Sequence, residues 1–228
     1  MNRDLSKLGH ALSAPARSTM INLLMDGSER PASELCAAAG VSPSTGSGHL
    51  GVLVEAGLVA CMPHGRHRFY RLASDRVAAA LEHLGLVCPV TEPVSYRQSR
   101  DARGLAAARL CYDHLAGRLG VALAQGLAEQ SWVNDDLSDV TAEGGSHLEA
   151  QGLDIEGLRG RRRPLVRPCA DWTERRPHVA GALGAALADL FLDRGWVERT
   201  AHRRGLAVST EGVTALREHW AVDLATAS

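Results

Sequence analysis

Residues 41–58 read VSPSTGSGHLGVLVEAGL, and that stretch decides how the chain folds. Ser42 is a good N-cap, because its hydroxyl can accept from an otherwise unpaired amide of the first turn. Pro43 follows at the first helical position, where a missing N–H is harmless. Gly57 falls where a left-handed C-cap belongs. Leu50, Leu53 and Val54 recur at i, i+3, i+4 and mark one buried face. Ser44, Thr45, Ser47 and His49 leave the opposite face short and polar. The spacing predicts a helix with an apolar back and a small hydrogen-bonding front, as entry into a major groove requires.

The flanking residues extend this reading. Residues 32–39 (ASELCAAA) predict a short helix with Leu35 and Cys36 inward, stopped at Gly40. Gly40, Val41 and Ser42 then make a tight turn, so the order is helix, glycine-containing turn, helix. Residues 58–62 form an extended apolar run. Pro63, His64 and Gly65 are turn formers, and residues 66–72 (RHRFYRL) predict a second strand. A basic hairpin directly after such a helix is a wing. Upstream, residues 4–12 predict a first helix with Leu5, Leu8 and Leu12 on one side. Pro15 opens a second helix, which Asp26 and Gly27 end. Downstream, Ser74 or Asp75 starts a helix to about Leu84, with Val77, Leu81 and Leu84 on its apolar face.

In these residues the chain resembles the ArsR/SmtB family of winged-helix repressors. The resemblance rests on ALSAPARSTMINLL (11–24), SELCAAAGVSPSTGSGHLGVLVEAGLV (33–59) and GRHRFYRL (65–72), and covers about residues 5–84. It implies a dimeric reader of double-stranded operator DNA, with the first and last helices of the domain at the dimer interface. The same leucines could instead simply close the domain core. The expected DNA-contact residues are Ser42, Ser44, Thr45, Ser47 and His49 on the helix, and His64, Arg66 and Arg68 in the wing. Gly46, Gly48 and Gly51 depart from the family pattern, where a larger or basic side chain often stands. The two familiar metal sites of the family also lack residues here. Cys36 has no second cysteine two positions on, and Val77 stands where the last helix would need a histidine.

Bulk properties bound the rest. The 228 residues suffice for one large or two ordinary domains, and a 45% hydrophobic, 22% charged composition is that of a globular chain. The net charge of −1 lends no support to DNA binding by itself and predicts modest non-specific affinity rather than its absence. Residues 1–84 hold eight Lys/Arg against seven Asp/Glu, so positive charge has to be concentrated locally, at Arg66, Arg68 and Arg71. Five scattered cysteines argue against a disulfide framework. No apolar run approaches the ~20 residues of a membrane span, and no signal-peptide core opens the chain. A cytoplasmic protein with no membrane partner is expected.

Residues 85–104, with Pro89 and Pro93, read as a linker, and residues 105–228 as a second domain. That domain carries an internal similarity. HLAGRLGVALAQGLAEQSWV from His114 and HVAGALGAALADLFLDRGWV from His178 share ten of twenty positions. We therefore expect two repeats, about 105–152 and 169–222, each a long helix, a short hairpin from Trp132 or Trp196, and a short helix. The predicted fold class is mainly α with small β wings (α+β): a winged helix-turn-helix followed by two helix-hairpin-helix repeats. Gly117 and Gly120, and likewise Gly181 and Gly184, would give each long helix a notch for close approach, at ~1 kcal/mol per glycine in helix propensity.

Cys111 and His114 are expected to share a helix face at i, i+3, with Cys169 and His178 in the matching part of the second repeat. Cys and neutral His are good soft-metal ligands, so these four are the metal candidates. The same residues with Tyr112 and Trp172, and with Trp196 nearby, could instead line an organic pocket, or all could be buried structural residues. The arginines at 159, 161, 162, 163 and 167 form a basic loop, either a solvated connection or an anionic-ligand contact. No cofactor is needed for the fold; a soft metal ion or a small organic effector would act as regulator. The chain thus reads as a DNA-binding transcriptional regulator, a homodimeric repressor whose operator affinity follows a ligand of the second domain. An enzyme built on the duplicated domain is the alternative class, but no nucleophile motif, phosphate loop or suggestive carboxylate pair supports it.

Overall fold

A computed structural model describes residues 5–64, 67–89, 103–201 and 204–224. The chain forms two compact units, Met1–Leu81 and Glu82–Ser228.

The first unit is a winged helix-turn-helix. Its elements are α1 (Ser6–Leu12), α2 (Pro15–Leu24), β1 (Arg30–Pro31), α3 (Ala32–Ala39), α4 (Pro43–Glu55), β2 (Val59–His64), β3 (His67–Leu72) and α5 (Asp75–Gly85), whose last residues belong to the second unit. The caps behave as their residue types dictate. Ser42 Oγ accepts from the Thr45 amide, and Gly40 closes α3 at φ 64°. Gly57 takes φ 71°, a region that a Cβ disfavours. Leu35, Leu50 and Leu53 join Met20, Ile21, Leu24 and Leu72 in one core. The wing strands pair antiparallel from Val59↔Leu72 to His64↔His67.

Strand β1 was not expected. Its two residues pair with β3 as Arg30↔Tyr70 and Pro31↔Phe69, completing a sheet of order β1-β3-β2. Two residues cannot show an alternating pattern, and Pro31 is tolerated because the strand lies at the edge.

The second unit holds β4 (Arg109–Cys111), β5 (His114–Ala116), α6 (Gly117–Glu129), α7 (Ala142–Ala150), α8 (Ile155–Arg159), β6 (Arg167–Ala170), β7 (Pro177–Ala180), α9 (Gly181–Asp193), β8 (Val197–Arg199), β9 (Leu206–Val208) and α10 (Thr210–Trp220). Residues 103–107, at the end of the expected linker, are helical. The main core of the unit is built on Leu119, Leu123, Leu127, Leu148, Leu183, Leu187, Phe191 and Trp220, and Cys111, Ala116, Cys169 and Ala180 form a small separate buried cluster.

A long helix, a hairpin and a short helix follow one another as α9, β8–β9 and α10, and as α6, the Val133↔Val140 bridge and α7, but an unexpected hairpin precedes each long helix. Cys111 and His114 do not share a helix face; they are cross-strand partners in β4–β5. The i, i+3 spacing is that of a two-residue turn, in which Tyr112 adopts φ 63°. The helix cannot start at His114, because Gly117 takes φ 73° and a Cβ there would lie 2.6 Å from the Ala106 carbonyl oxygen. Gly181 does the same before α9, at φ 92° and 2.7 Å from the Leu165 carbonyl oxygen. The glycines counted as helix-interior notches are thus partly helix-starting turns. Further along, Thr141 and Ser209 cap α7 and α10 by accepting from the Gly144 and Gly212 amides, both at 2.9 Å.

Candidate functional site

Two sites were expected, one on α4 and the wing, the other in the second unit. On α4, Ser42, Ser44, Thr45 and Ser47 are exposed. Ser42 Oγ lies 3.0 Å from Ser44 Oγ and 2.9 Å from Thr45 Oγ1, so the hydroxyls form a local chain at the start of the helix. His49 is half-buried, with Nδ1 3.2 Å from Arg17 Nη1. Arg17 is anchored by donating to the Ala11 and His10 carbonyls. His49 is therefore held against α2 rather than standing free with the serines. Gly46 is buried, and a Cβ there would run into Cys36 Sγ; its absence allows α4 to pack on α3. Gly48 and Gly51 meet nothing within 4 Å. In the wing, Arg68 is exposed, and His64 pairs with Glu29 at 3.4 Å. Glu29 also sits 3.5 Å from Arg71. Arg66 lies outside the described residues.

In the second unit, Cys111, His114, Cys169 and His178 are all buried, and one ligand atom from each lies within 4.8 Å of the others. Each hairpin supplies one cysteine and one histidine as cross-strand partners, Cys111↔His114 and Cys169↔His178. The two imidazoles meet Nε2 to Nε2 at 3.1 Å. Glycines make this approach possible. A Cβ on Gly120 would lie 3.5 Å from His178 Cβ, and one on Gly184 would lie 3.1 Å from His114 Cβ.

Carboxylates back both histidines. Asp113 Oδ1 is 3.1 Å from His114 Nδ1, and Asp171 Oδ2 is 3.3 Å from His178 Nδ1, too misaligned for a good hydrogen bond. Burial would raise the Asp171 pKa. His178, Arg109, the Thr173 hydroxyl and the Gly117 amide outweigh it and hold the carboxyl well below its ordinary range. Asp113 is likewise held down to about 2, burial being overcome by His114 and Arg163. Arg163, from the basic loop, donates to Asp113 Oδ2 at 2.6 Å. His178 is raised, because Asp171 and Cys111 outweigh its burial.

The sulfurs share an environment. The contact with Cys169, together with burial, pushes the Cys111 thiol up to about 12, while the contact with Cys111 lowers Cys169. Cys111 Sγ donates to Glu82 Oε2 at 2.9 Å. Glu82 accepts from Arg204 at 2.6 Å and sits 3.5 Å from Arg109. Arg109 in turn donates to Asp171 at 2.9 Å. Burial of Glu82 is outweighed by the two arginines and the thiol, so its pKa is lowered. Asp113, Asp171, Glu82, Arg109 and Arg204 were all missed in sequence. Only the adjacency of Asp113 to His114, and of Asp171 to Cys169, was a usable signal.

The aromatic candidates are placed differently. Tyr112 is 53% exposed at the β4–β5 turn. Trp172 is partly buried, with the Arg109 guanidinium 5.4 Å from its ring centroid. Trp196 packs edge-on against Phe191 in the core.

Comparison with known proteins follows the division of the chain. A sequence model of the family described as "Bacterial regulatory protein, arsR family" matches residues 14–60. An uncharacterized HTH-type transcriptional regulator of Bacillus subtilis (strain 168), YdfF, is 40% identical over 221 residues, covering 96% of this chain and 98% of that protein. The HTH-type transcriptional regulator CmtR of Mycobacterium tuberculosis is 39% identical over 80 residues, covering 35% of this chain and 67% of CmtR. The NMR structure of CmtR, described as a cadmium metal-sensor, gives a TM-score of 0.32 at 35% identity, over 40% of this chain and 94% of that one. A homodimeric winged helix-turn-helix DNA-binding domain of Mycobacterium bovis gives 0.34 at 28% identity, over 36% of this chain and 76% of that one.

Proposed function

The chain belongs to the ArsR family of HTH-type transcriptional regulators, and from that premise we propose that it is a homodimeric repressor whose operator affinity is set by an effector bound in the second unit. The observation that carries the reading is the convergence of Cys111, His114, Cys169 and His178. A winged helix needs none of these residues to fold. We take residues 105–228 to be two repeats, each bringing half of the effector site on a hairpin. Ser42, Ser44, Thr45 and Ser47 read or grip the DNA, with Arg66 and Arg68 in the wing on phosphates.

Control follows from differential binding. An effector shifts the operator equilibrium only by as much as it prefers one protein state over the other. Helix α5 is the covalent route. Its Val77, Ala78 and Leu81 pack with the first core, and its Glu82 accepts the Cys111 thiol proton within the second unit. An effector that takes the Cys111 sulfur removes that hydrogen bond from the end of α5.

The test is selection of duplexes from a random library by the full chain, followed by footprinting. The expected product is a near-palindromic site with half-sites about 10 bp, or a multiple, apart. Recovery of no preferred sequence would overturn the regulator reading.

A further inference from the structure

We propose that the effector of this second unit is a soft or borderline divalent metal ion of the zinc and cadmium class, bound tetrahedrally by Cys111 Sγ, Cys169 Sγ, His114 Nε2 and His178 Nε2. The inference names the ligand of the site on which the regulator reading rests.

Four observations converge on it. The donor set is two sulfurs and two imidazole nitrogens, the composition of a closed four-coordinate site. The spacing is close to what an ion needs. Zn–N bonds of 2.0–2.1 Å put two tetrahedral nitrogens about 3.3 Å apart, and the Nε2 atoms stand 3.1 Å apart. The sulfurs need about 3.8 Å, and they belong to a cluster whose ligand atoms all lie within 4.8 Å of one another.

The histidine tautomers point the same way. A carboxylate lies at each Nδ1, Asp113 at 3.1 Å and Asp171 at 3.3 Å. At His114 such a partner favours the proton on Nδ1 and turns the Nε2 lone pair toward His178, as in carboxylate–histidine–metal arrangements. At His178 the Asp171 carboxylate lies beside the ring without a well-aligned hydrogen bond. The two Nε2 atoms stand 3.1 Å apart in a buried site, and a cation between them would bond to both.

Charge selects the valence. Among the described residues, the buried charges around the cluster pair off: Glu82 and Asp171 against Arg109 and Arg204, all under 7% exposed. Outside it, Asp113 is matched by Arg163. Two thiolates and a divalent ion add no net charge to this interior, whereas a monovalent ion would leave one negative charge buried. The binding step balances simply. Two sulfur–metal and two nitrogen–metal bonds form, the two thiol protons leave to solvent, and no electron moves. The Cys111 proton now held toward Glu82 is one of them.

The test is a Co2+ titration of the full-length, reduced, chelator-treated protein without DNA. The expected result is one ion per chain, with the strong visible bands of tetrahedral cobalt and a near-ultraviolet thiolate-to-metal charge-transfer band. Cd2+ should displace it, and the 113Cd resonance of the wild-type protein should report an S2N2 donor set. Cys111→Ser and Cys169→Ser should each weaken binding at least 100-fold, while Cys88→Ser, exposed and outside the cluster, should change nothing. A folded, reduced wild-type protein that takes up no stoichiometric ion would overturn the proposal, whether its cysteines stay free or form a Cys111–Cys169 disulfide on air exposure. So would a charge-transfer band that survives in the Cys111→Ser/Cys169→Ser double variant. Because the 113Cd measurement uses the wild type, misfolded variants do not remove the test. DNA selection by the metal-free protein is read separately. An ion without DNA binding removes the regulator reading and keeps the site; DNA binding without an ion does the reverse.

Discussion

His114 and His178 face each other at 3.1 Å between Nε2 atoms, one from each of two hairpins, and each has an aspartate at its Nδ1. The aspartates differ in what else they hold, and that difference separates affinity from folding. Asp113 is half-buried and bonds only to His114 and to Arg163 in the contacts described above. Loss of such an outer carboxylate typically costs 10- to 100-fold in metal affinity. Asp113→Asn should therefore weaken Co2+ binding by about that factor while the urea unfolding curve moves little; unchanged ion affinity would contradict the arrangement.

Asp171 is fully buried and also accepts from Arg109 and from the Gly117 amide. Asp171→Asn should remove one of the two buried carboxylates that face Arg109, leaving the more distant Glu82 at 3.5 Å. Removing one partner of such a pair costs about 3–5 kcal/mol. The second unit should unfold at markedly lower urea even in chelator, a readout in which no metal takes part.

Helix α4 carries three glycines with two different consequences. Gly48 and Gly51 are exposed and meet nothing within 4 Å, so Gly48→Ala and Gly51→Ala should each stabilise the first unit by about 1 kcal/mol. Gly46 faces Cys36 Sγ, so Gly46→Ala should destabilise instead, by the ~1–3 kcal/mol of overpacking. Amide exchange of α4 in the full chain reads all three. The same sign for every glycine would show that the α3–α4 contact is misplaced.

Arg30, 4% exposed, binds Asp26 at 2.6 Å and also Glu34. Burial raises the Asp26 pKa, but the Ser28 hydrogen bonds and the Arg30 charge prevail, and it lies below its ordinary 3.8. A depressed folded pKa means the unfolded chain binds the proton first as pH falls. The Asp26 contribution is thus complete above the unfolded value and drains away as pH drops through 3.8 toward the folded one. Arg30→Met should flatten that acid limb of the stability profile and lower stability at neutral pH; an unchanged acid limb would contradict the assignment.

The winged unit was legible because its information is local. Caps at Ser42 and Gly40, the Pro43 start and the i, i+3, i+4 leucines each act within one turn of chain. The same locality hid β1, which exists only because β3 offers Tyr70 and Phe69 as partners. In the second unit, His114 and His178 could be paired by internal similarity, but Cys111 stands three residues before its histidine and Cys169 nine before its own, and the secondary structure around them could not be read. An i, i+3 Cys–His pair fits one helix face as well as a two-residue hairpin turn, and the left-handed φ of Tyr112 and of Gly117 distinguishes them. Glu82, Arg109 and Arg204 were invisible because their meaning lies in pairings with residues far away in sequence, up to 122 positions for Glu82 and Arg204.

Arg68 is exposed on β3, and no sequence reading belongs to a phosphate contact. Arg68→Ala should weaken specific and random DNA alike and reduce the slope of log affinity against log salt by about one. Ser44→Ala and Ser47→Ala should instead change the preferred sequence. Identical effects from the helix and wing substitutions would mean that α4 does not read bases.

The most direct measurement of the account is fluorescence anisotropy of the selected operator duplex, titrated with full-length protein in chelator and again with stoichiometric Cd2+. Allosteric couplings of 1–3 kcal/mol correspond to about 5- to 150-fold in affinity. Cd2+ should weaken operator binding by the wild type within that range, and Cys169→Ser should bind with one affinity in both conditions. Equal wild-type affinities with and without an ion shown to be bound would contradict it.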